Sequence, residues 1–343
     1  MFENKNPLLI GAAVGLGAIS AFTLWNRSRR SFDLRGKVVL ITGGSRGLGL
    51  VLAREFAAEG ARLAICARDG AELAAAKEDL ESRGAEVFEA ICDVTNQDEI
   101  DRLVGDVCMR FGQIDVLVNN AGVIQVGPLA TQTEKDFEDA MAIHFWAPYH
   151  MINTVLPIMR GAGAGRIVNI ASIGGKIAVP HLAPYCASKF ALVGLSNALH
   201  VELAKENIYV TTVCPGLMRT GSHVNAYFKG QNEKEYALFS ISNALPVSSI
   251  SAESAARQIV AAAKRGDAEA VISVQAKLAA KMNALFPEMT AEILSLVNRL
   301  LPSNGGIGTA KVRGKQSESW LAPSILTAMS DKEIIENNEQ FAN

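Results

Sequence analysis

The sequence predicts an α/β fold: a parallel sheet of about seven strands covered by helices, with an N-terminal transmembrane helix and a C-terminal helical extension. Three observations predict it. Short β-branched runs alternate with Ala-rich stretches of helical length, the pattern of strand–helix units in a parallel sheet. The runs are apolar almost throughout instead of alternating, as strands buried on both faces are. A glycine-rich turn stands directly after the first run, where a strand must turn sharply into a helix.

The chain has 343 residues, of which 49% are apolar and 20% charged, the balance of a globular protein and not of a disordered or collagen-like one. Lys and Arg number 33 against 35 Asp and Glu, so the basic surplus of a nucleic-acid binder is missing. Five scattered Cys (66, 92, 108, 186, 214) form no Cys-x-x-Cys pair, which fits reduced thiols better than a disulfide framework. The five His stand far apart, and no metal site is expected.

Taken in order, Leu8 to Trp25 is an uncharged run of 18 residues. As a helix it would span about 27 Å at ~1.5 Å per residue, close to the ~30 Å hydrocarbon core of a bilayer. Trp25 suits the interface, and Arg27, Arg29 and Arg30 follow at once, which orients the rest of the chain to the cytoplasmic side. A cleaved signal peptide, with Ala18-Ile19-Ser20 as a small-x-small site, and a soluble buried helix are the competing readings. Gly11 and Gly15 form a GxxxG pair through which two such helices could approach closely.

Strands are predicted at Val38–Ile41, Arg62–Cys66, Glu86–Ile91, Val116–Val118, Ile167–Ile170, Val210–Val213 and Ala270–Ser273. Helices are predicted at Leu48–Glu59, Ala71–Ser82, Gln97–Phe111, Glu134–Met159, Pro184–Lys205 and Ala252–Lys264. From Gln275 to Pro302 a further helix carries an apolar stripe of Met289, Ile293, Leu296, Val297, Leu300 and Leu301, expected to pack on the main domain or on a second subunit. Beyond Pro302 the chain turns Gly- and Ser-rich and is expected to be partly ordered. The organisation is thus an anchor and basic flank over 1–30, one α/β domain over 31–275, and a helical extension with its tail over 276–343.

Thr42-Gly43-Gly44-Ser45-Arg46-Gly47-Leu48-Gly49 opens the first helix. Without side chains such a turn lets a pyrophosphate approach the backbone, and the helix amino end favours its charge. At the end of the second strand an acidic residue would bind the ribose 2′-hydroxyl of NAD. Ala67 and Arg68 stand there instead, and with Arg46 they suit a 2′-phosphate, hence NADP. Asp69 is a possible partner that would weaken Arg68.

Tyr185 and Lys189 are four residues apart and so share a helix face. A nearby cation favours the phenolate and lowers the Tyr pKa from about 10. Ser172, at the end of the fifth strand, can hold a substrate oxygen beside Tyr185.

With these residues the sequence strongly resembles the short-chain dehydrogenase/reductase family over roughly residues 34–275. The matching residues are Thr42–Gly49, Asp93, Asn119-Asn120-Ala121-Gly122, Ser172, Tyr185, Lys189, and Pro215-Gly216 with Thr220. The resemblance implies a doubly wound parallel sheet (Rossmann fold) and hydride and proton transfer between NADP and a carbonyl or alcohol. In it Tyr185 is the general acid/base, Lys189 holds the nicotinamide ribose and tunes the Tyr, and Ser172 polarises the carbonyl. The implied cofactor set is Gly43, Ser45, Arg46, Gly47, Leu48, Gly49, Arg68, Asp93, Val94, Asn119, Ala121, Gly122, Tyr185, Lys189, Pro215, Gly216 and Thr220. Asp93 would meet the adenine, Asn119 would stabilise the central strands, and Thr220 would contact the carboxamide or phosphate. The family's usual catalytic Asn, in the helix after the fourth strand, is replaced here by His144. His144 could join a proton relay, or be a tolerated substitution where the backbone holds the water.

The segment after Gly216 resembles the family's substrate lid and carries Leu217, Met218, Val224, Tyr227, Phe228, Tyr236, Leu238, Phe239 and Ile241. These suggest an apolar cleft and a lipophilic substrate, or simply packing on the domain. His181 is placed either at the cleft or at the surface. Cys186 and Cys214 read as packing residues, with no base to activate them. A homo-oligomer is possible and a nucleic-acid partner is not expected. The main alternatives to an oxidoreductase are a cofactor-binding sensor or scaffold without catalysis, and an NADP-dependent epimerase.

Overall fold

The computed structural model describes residues 29–245, 249–319, 322 and 333–339. Seven parallel strands form the main sheet: β1 (Val38–Thr42), β2 (Arg62–Ala67), β3 (Val87–Ile91), β4 (Val116–Asn119), β5 (Gly165–Ile170), β6 (Ile208–Pro215) and β7 (Glu269–Ile272). Their order across the sheet is β7-β6-β5-β4-β1-β2-β3. The chain therefore winds outward from β1 in one direction and from β4 in the other. The crevice between the carboxyl ends of β1 and β4 is the switch point at which such sheets bind ligands.

Successive strand residues point to opposite faces, and both faces are covered. Val39, Ile41, Leu63, Ile65, Val116 and Val118 pack under α1 (Gly47–Ala58), α2 (Gly70–Ser82) and α8 (Ala252–Arg265). Val38, Leu40, Ala64, Leu117 and Ile167 pack on the other side under α3 (Gln97–Phe111) and α5 (Ala147–Ala162). This double coverage is why the strands read as unbroken apolar runs. Helix ends carry their own stops: Asn96 caps α3 by accepting the Asp98 N–H, and Gly112 ends it in the left-handed region.

Three expectations need correction. The long helix predicted over 134–159 is α4 (Glu134–Met141) and α5 joined by a π-helical turn, Ala142–Trp146, with no Gly or Pro to mark it. The helix predicted from Gln275 onward divides at Phe286 into α9 (Val274–Leu285) and α10 (Pro287–Asn298), because Pro287 lacks the N–H that would continue it. Its stripe does not pack on the main domain: Met289, Ile293, Leu296, Val297 and Leu300 are all exposed. Among the described residues no helix is long and apolar enough to cross a membrane. The segment expected to do so, Leu8 to Trp25, lies outside the described residues.

The chain enters the domain at the amino-terminal edge of the sheet. There Phe32 N–H donates to Lys264 O at 3.0 Å. Arg166, at the start of β5, donates to Arg30 O and lies between the Phe32 and Tyr209 rings, 4.5 and 4.8 Å from their centroids.

Candidate active site

The glycine turn joins β1 to α1. Gly43 and Gly47 have φ of 64° and 54°, left-handed values that an L side chain rarely adopts. A Cβ on Gly43 would stand 3.0 Å from Ala121 Cα, and one on Gly49 would run into the Gly43 carbonyl. The turn is clamped to the end of β4. Thr42 Oγ1 accepts the N–H groups of Asn120 (3.0 Å) and Ala121 (3.1 Å), and Asn120 Nδ2 donates to the carbonyls of Thr42 and Gly43, both at 3.0 Å. The sequence alone assigns Asn120 no role. The signal for it was a carboxamide placed where a tight turn leaves carbonyls unpaired. Asn119 acts one layer deeper: its Nδ2 donates to Asn169 Oδ1 at 2.8 Å, tying β4 to β5. Asn169 in turn donates to Ser196 Oγ on α6 (Ala183–Leu203) at 3.1 Å.

At the end of β2, Arg68 is exposed, and among the described residues it makes no hydrogen bond or ion pair. Asp69 does not pair with it. Its carboxylate caps α2 instead, accepting from Ala71 N–H (2.9 Å) and Glu72 N–H (3.0 Å). Burial raises the Asp93 pKa, but bonds from Thr95 and the Arg68 charge outweigh it and hold the carboxyl below its ordinary value. Val94 and Leu48 are buried beside this edge. Arg46 is not free as Arg68 is. It pairs with the buried Glu72 and, through Nε at 3.6 Å, with Glu339 near the end of the chain. Ser45 Oγ also donates to Glu72, at 3.1 Å.

The structure brings Ser172, Tyr185 and Lys189 together at the carboxyl edge of β5. Ser172 starts a short 3-10 turn, and its Oγ accepts the Gly174 N–H at 3.0 Å. Gly174 lies against the Tyr185 ring, where a Cβ would come within 3.2 Å of Cε1. Tyr185 and Lys189 stand one turn apart on α6, and Lys189 Nζ lies 5.7 Å from the Tyr185 ring centroid. Lys189 is buried and donates to Ile170 O at 2.8 Å. Burial pushes it down to about 7. Desolvation pushes the Tyr185 hydroxyl up to about 12, against a hydrogen bond with Ser172 that draws it down. At neutral pH the Tyr is therefore firmly protonated beside a lysine balanced between its two forms.

His144, in the π turn, is 1% exposed and meets the Tyr185 ring edge-on at a centroid distance of 5.3 Å. Its Nε2 accepts the Val123 N–H at 3.2 Å, so the ring proton is on Nδ1, 2.8 Å from Ser188 Oγ. Ser188 Oγ in turn donates a hydrogen bond to the Tyr185 carbonyl at 2.8 Å. Burial, reinforced by the Lys189 charge, holds the imidazole pKa well below 6.5. Both ring nitrogens are thus committed to holding Val123 and α6. Gly122 leaves the room for this ring: a Cβ there would stand 3.0 Å from Nε2.

Pro215 ends β6, and Gly216 N–H donates to Ile272 O at 3.2 Å. Thr220 is buried with its Oγ1 on Ser222 Oγ at 2.9 Å. In the lid, Phe228 and Tyr236 do not line a cleft. They form a small core with Val126, Ala226, Ala237 and Ala322, Val224 is buried as well, and Met218 packs on the main core. His181 has a left-handed φ of 63° and bonds Glu235 at 2.7 Å, joining the loop before Tyr185 to lid helix α7 (Asn232–Ala244). Cys186 and Cys214 are buried, and burial raises both thiols, that of Cys214 to about 12.

Known proteins resemble this chain in sequence and in fold. The sequence profile described as short chain dehydrogenase matches residues 37–229. A putative ketoacyl reductase of granaticin polyketide synthesis from Streptomyces violaceoruber is 38% identical over 216 residues, covering 61% of this chain and 79% of that protein. Dehydrogenase/reductase SDR family member 7B of Mus musculus is 35% identical over 224 residues, 64% of this chain and 68% of that one. Among solved structures, L-sorbose reductase from Gluconobacter frateurii, complexed with NADPH and L-sorbose, aligns with a TM-score of 0.63 at 28% identity over 71% of this chain and 97% of that one. An actinorhodin polyketide ketoreductase variant with NADPH aligns with a TM-score of 0.62 at 33% identity over 69% and 95% of the two chains.

Proposed function

This chain belongs to the short-chain dehydrogenase family, and on that premise we propose that it is an NADP(H)-dependent oxidoreductase that interconverts a carbonyl and an alcohol. The observation that carries the reading is the convergence of Ser172, Tyr185 and Lys189 beside the glycine turn at the switch point of the sheet. NADPH-bound neighbours and ketoacyl reductase relatives support it. The residues present also fit the cofactor: the glycine turn and the amino end of α1 stand at the switch point of the sheet, and the unpaired Arg68 guanidinium suits a 2′-phosphate.

When bound, the nicotinamide supplies or accepts the hydride. The protein's own groups do the rest. Ser172 donates a hydrogen bond to the substrate oxygen and fixes it beside Tyr185. Tyr185, protonated at neutral pH, gives its proton to that oxygen as it becomes an alkoxide, and takes it back in the reverse direction. Lys189 stabilises the phenolate left behind, because its cationic form next to Tyr185 favours the anion. His144 positions α6 under Tyr185 and exchanges no proton, since both its nitrogens are occupied.

The lid residues Leu217, Tyr227, Leu238, Phe239 and Ile241, which stay partly or largely exposed, support a lipophilic substrate. The uncharged run from Leu8 to Trp25 and the three arginines after it support a single-pass membrane anchor with the catalytic domain on the cytoplasmic side. The test is a titration with NADPH and NADH followed by a panel of carbonyls from short and polar to long and apolar. NADPH should bind more tightly and be oxidised, most readily with the apolar carbonyls. Tyr185→Phe should bind NADPH with little change and lose at least about 100-fold in turnover. A fully active Tyr185→Phe enzyme would sink the mechanism.

A further inference from the structure

Resting on the NADP reading, we propose that the C-terminal segment 333–339 closes the dinucleotide site. It holds the phosphate-receiving groups of the glycine turn and must withdraw before a dinucleotide phosphate can reach them.

The segment makes one helical turn and runs into the mouth of the glycine turn. Asn337 O accepts the Gly47 N–H at 2.8 Å. That N–H opens α1, and the unpaired donors at a helix amino end are what make it an anion site. Asn338 Nδ2 donates to the Ser45 and Glu72 carbonyls at 2.9 and 3.1 Å. The Glu339 carboxylate lies over the bare Cα of Gly47, pairs with Arg46, and accepts from Asn225 Nδ2. Ile334 packs on Gly221, directly after Thr220. The segment therefore bridges the glycine turn and the stretch after Pro215-Gly216, the two walls implied for the dinucleotide phosphates. Arg54 fastens it from the side of α1, donating to Asn337 Oδ1 at 3.2 Å and to Glu336 O at 2.9 Å.

What the segment offers these groups is the chemistry of a phosphate: a carboxylate for the guanidinium and an acceptor oxygen for the helix N–H. Asn337 and Glu339 are 0% and 3% exposed, so this is a seated contact and not a passing one. It is also a compromised contact. Burial pushes the Glu339 carboxyl up to about 7 and nearby Glu72 adds to the rise, while Arg46 and Asn225 oppose it. A dinucleotide brings more negative charge to the same donors without having to bury a lone carboxylate, so it can displace the segment. A protein that is closed most of the time binds cofactor more weakly by the fraction open.

The experiment compares NADPH dissociation constants of the full chain and of a chain ending at Asp331. The shortened chain should bind at least tenfold more tightly. A synthetic peptide of residues 332–343 added to it should weaken NADPH binding competitively. Equal constants, or weaker binding by the shortened chain, overturn the inference and leave the cofactor assignment standing. Failure of both chains to bind NADPH overturns the two together. Hydrogen exchange on the full chain is independent of whether the shortened one folds. NADPH should speed exchange at 336–339, and protection of these amides would mean that the segment clasps the cofactor instead of competing with it.

Discussion

Lowering the pH from 7.5 to 5.5 should destabilise this protein by about 1.4 kcal/mol through His144 alone. In the folded state the imidazole is buried, its Nε2 faces the Val123 N–H, and a second proton would set donor against donor. Burial and the Lys189 charge hold its pKa well below 6.5. In the unfolded chain the same residue takes its proton near pH 6.5. Below that pH the unfolded state binds more protons, so the stability His144 contributes is complete above pH 6.5 and is lost as the pH falls further. At pH 5.5 the unfolded histidine is about tenfold more protonated than neutral, and RT ln 11 gives about 1.4 kcal/mol. His144→Asn removes the titrating group. The assay is urea unfolding of the parent and the variant at both pH values, followed by tryptophan fluorescence. His223, which burial holds down to about 4, loads both proteins alike and cancels in the difference. Equal losses in parent and variant would refute the reasoning, because His144 would then titrate in the folded state as it does in water. In the same variant turnover should stay within about 100-fold of the parent, or 2.7 kcal/mol of barrier, since His144 positions α6 and carries no proton.

Two further outcomes follow from the site. Lys189 is held down to about 7, so between there and its ordinary value near 10.4 the unfolded chain binds the extra proton and the folded state bears a cost. At pH 7.5 that cost is about 4 kcal/mol, offset by the ~1.5–3 kcal/mol of the charge-assisted bond to Ile170 O, so Lys189→Met should raise stability by roughly 2 kcal/mol in urea unfolding while turnover collapses, and a destabilised variant would show that the bond to Ile170 O outweighs the burial. Arg68→Ala should weaken NADPH binding about tenfold or more, the ~1.5–3 kcal/mol of a charge-assisted hydrogen bond, and leave NADH binding unchanged. Equal effects on both cofactors would remove Arg68 from the 2′-phosphate.

The parts of this protein that were legible in its sequence are those set by local spacing. The β1 run Val38–Ile41 needed only one more residue, Thr42, and Tyr185 and Lys189 share a face because they are one helical turn apart. Features decided by distant partners were not legible. Nothing in Ala142–Trp146 marks a π turn, since no Gly or Pro stands there and tertiary packing sets it. The engagement of Arg46 by Glu72 and Glu339 joins residues from both ends of the chain. The lid looked like a cleft because apolar residues carry the same signal whether they face a ligand or one another, and Phe228 and Tyr236 face one another.

The way the chain enters the domain restricts how its substrate can reach it. Arg30 and Phe32 are fixed at the amino-terminal edge of the sheet by Arg166 and Lys264, whereas Ser172 and Tyr185 stand at the carboxyl edge. Strands of five or six residues separate the two edges, some 17–20 Å at ~3.3 Å per residue. Only residues 26–29 lie between Trp25 and the fixed Arg30, a leash of about 17 Å when fully extended. If Leu8 to Trp25 crosses a bilayer, the amino-terminal edge stays within that leash of the surface, and with the domain upright its catalytic mouth turns toward the water. A molecule dissolved in the same leaflet then has no direct path inward and must cross an aqueous gap, free or on a carrier. The anchor would hold the enzyme beside a supply without dipping it in.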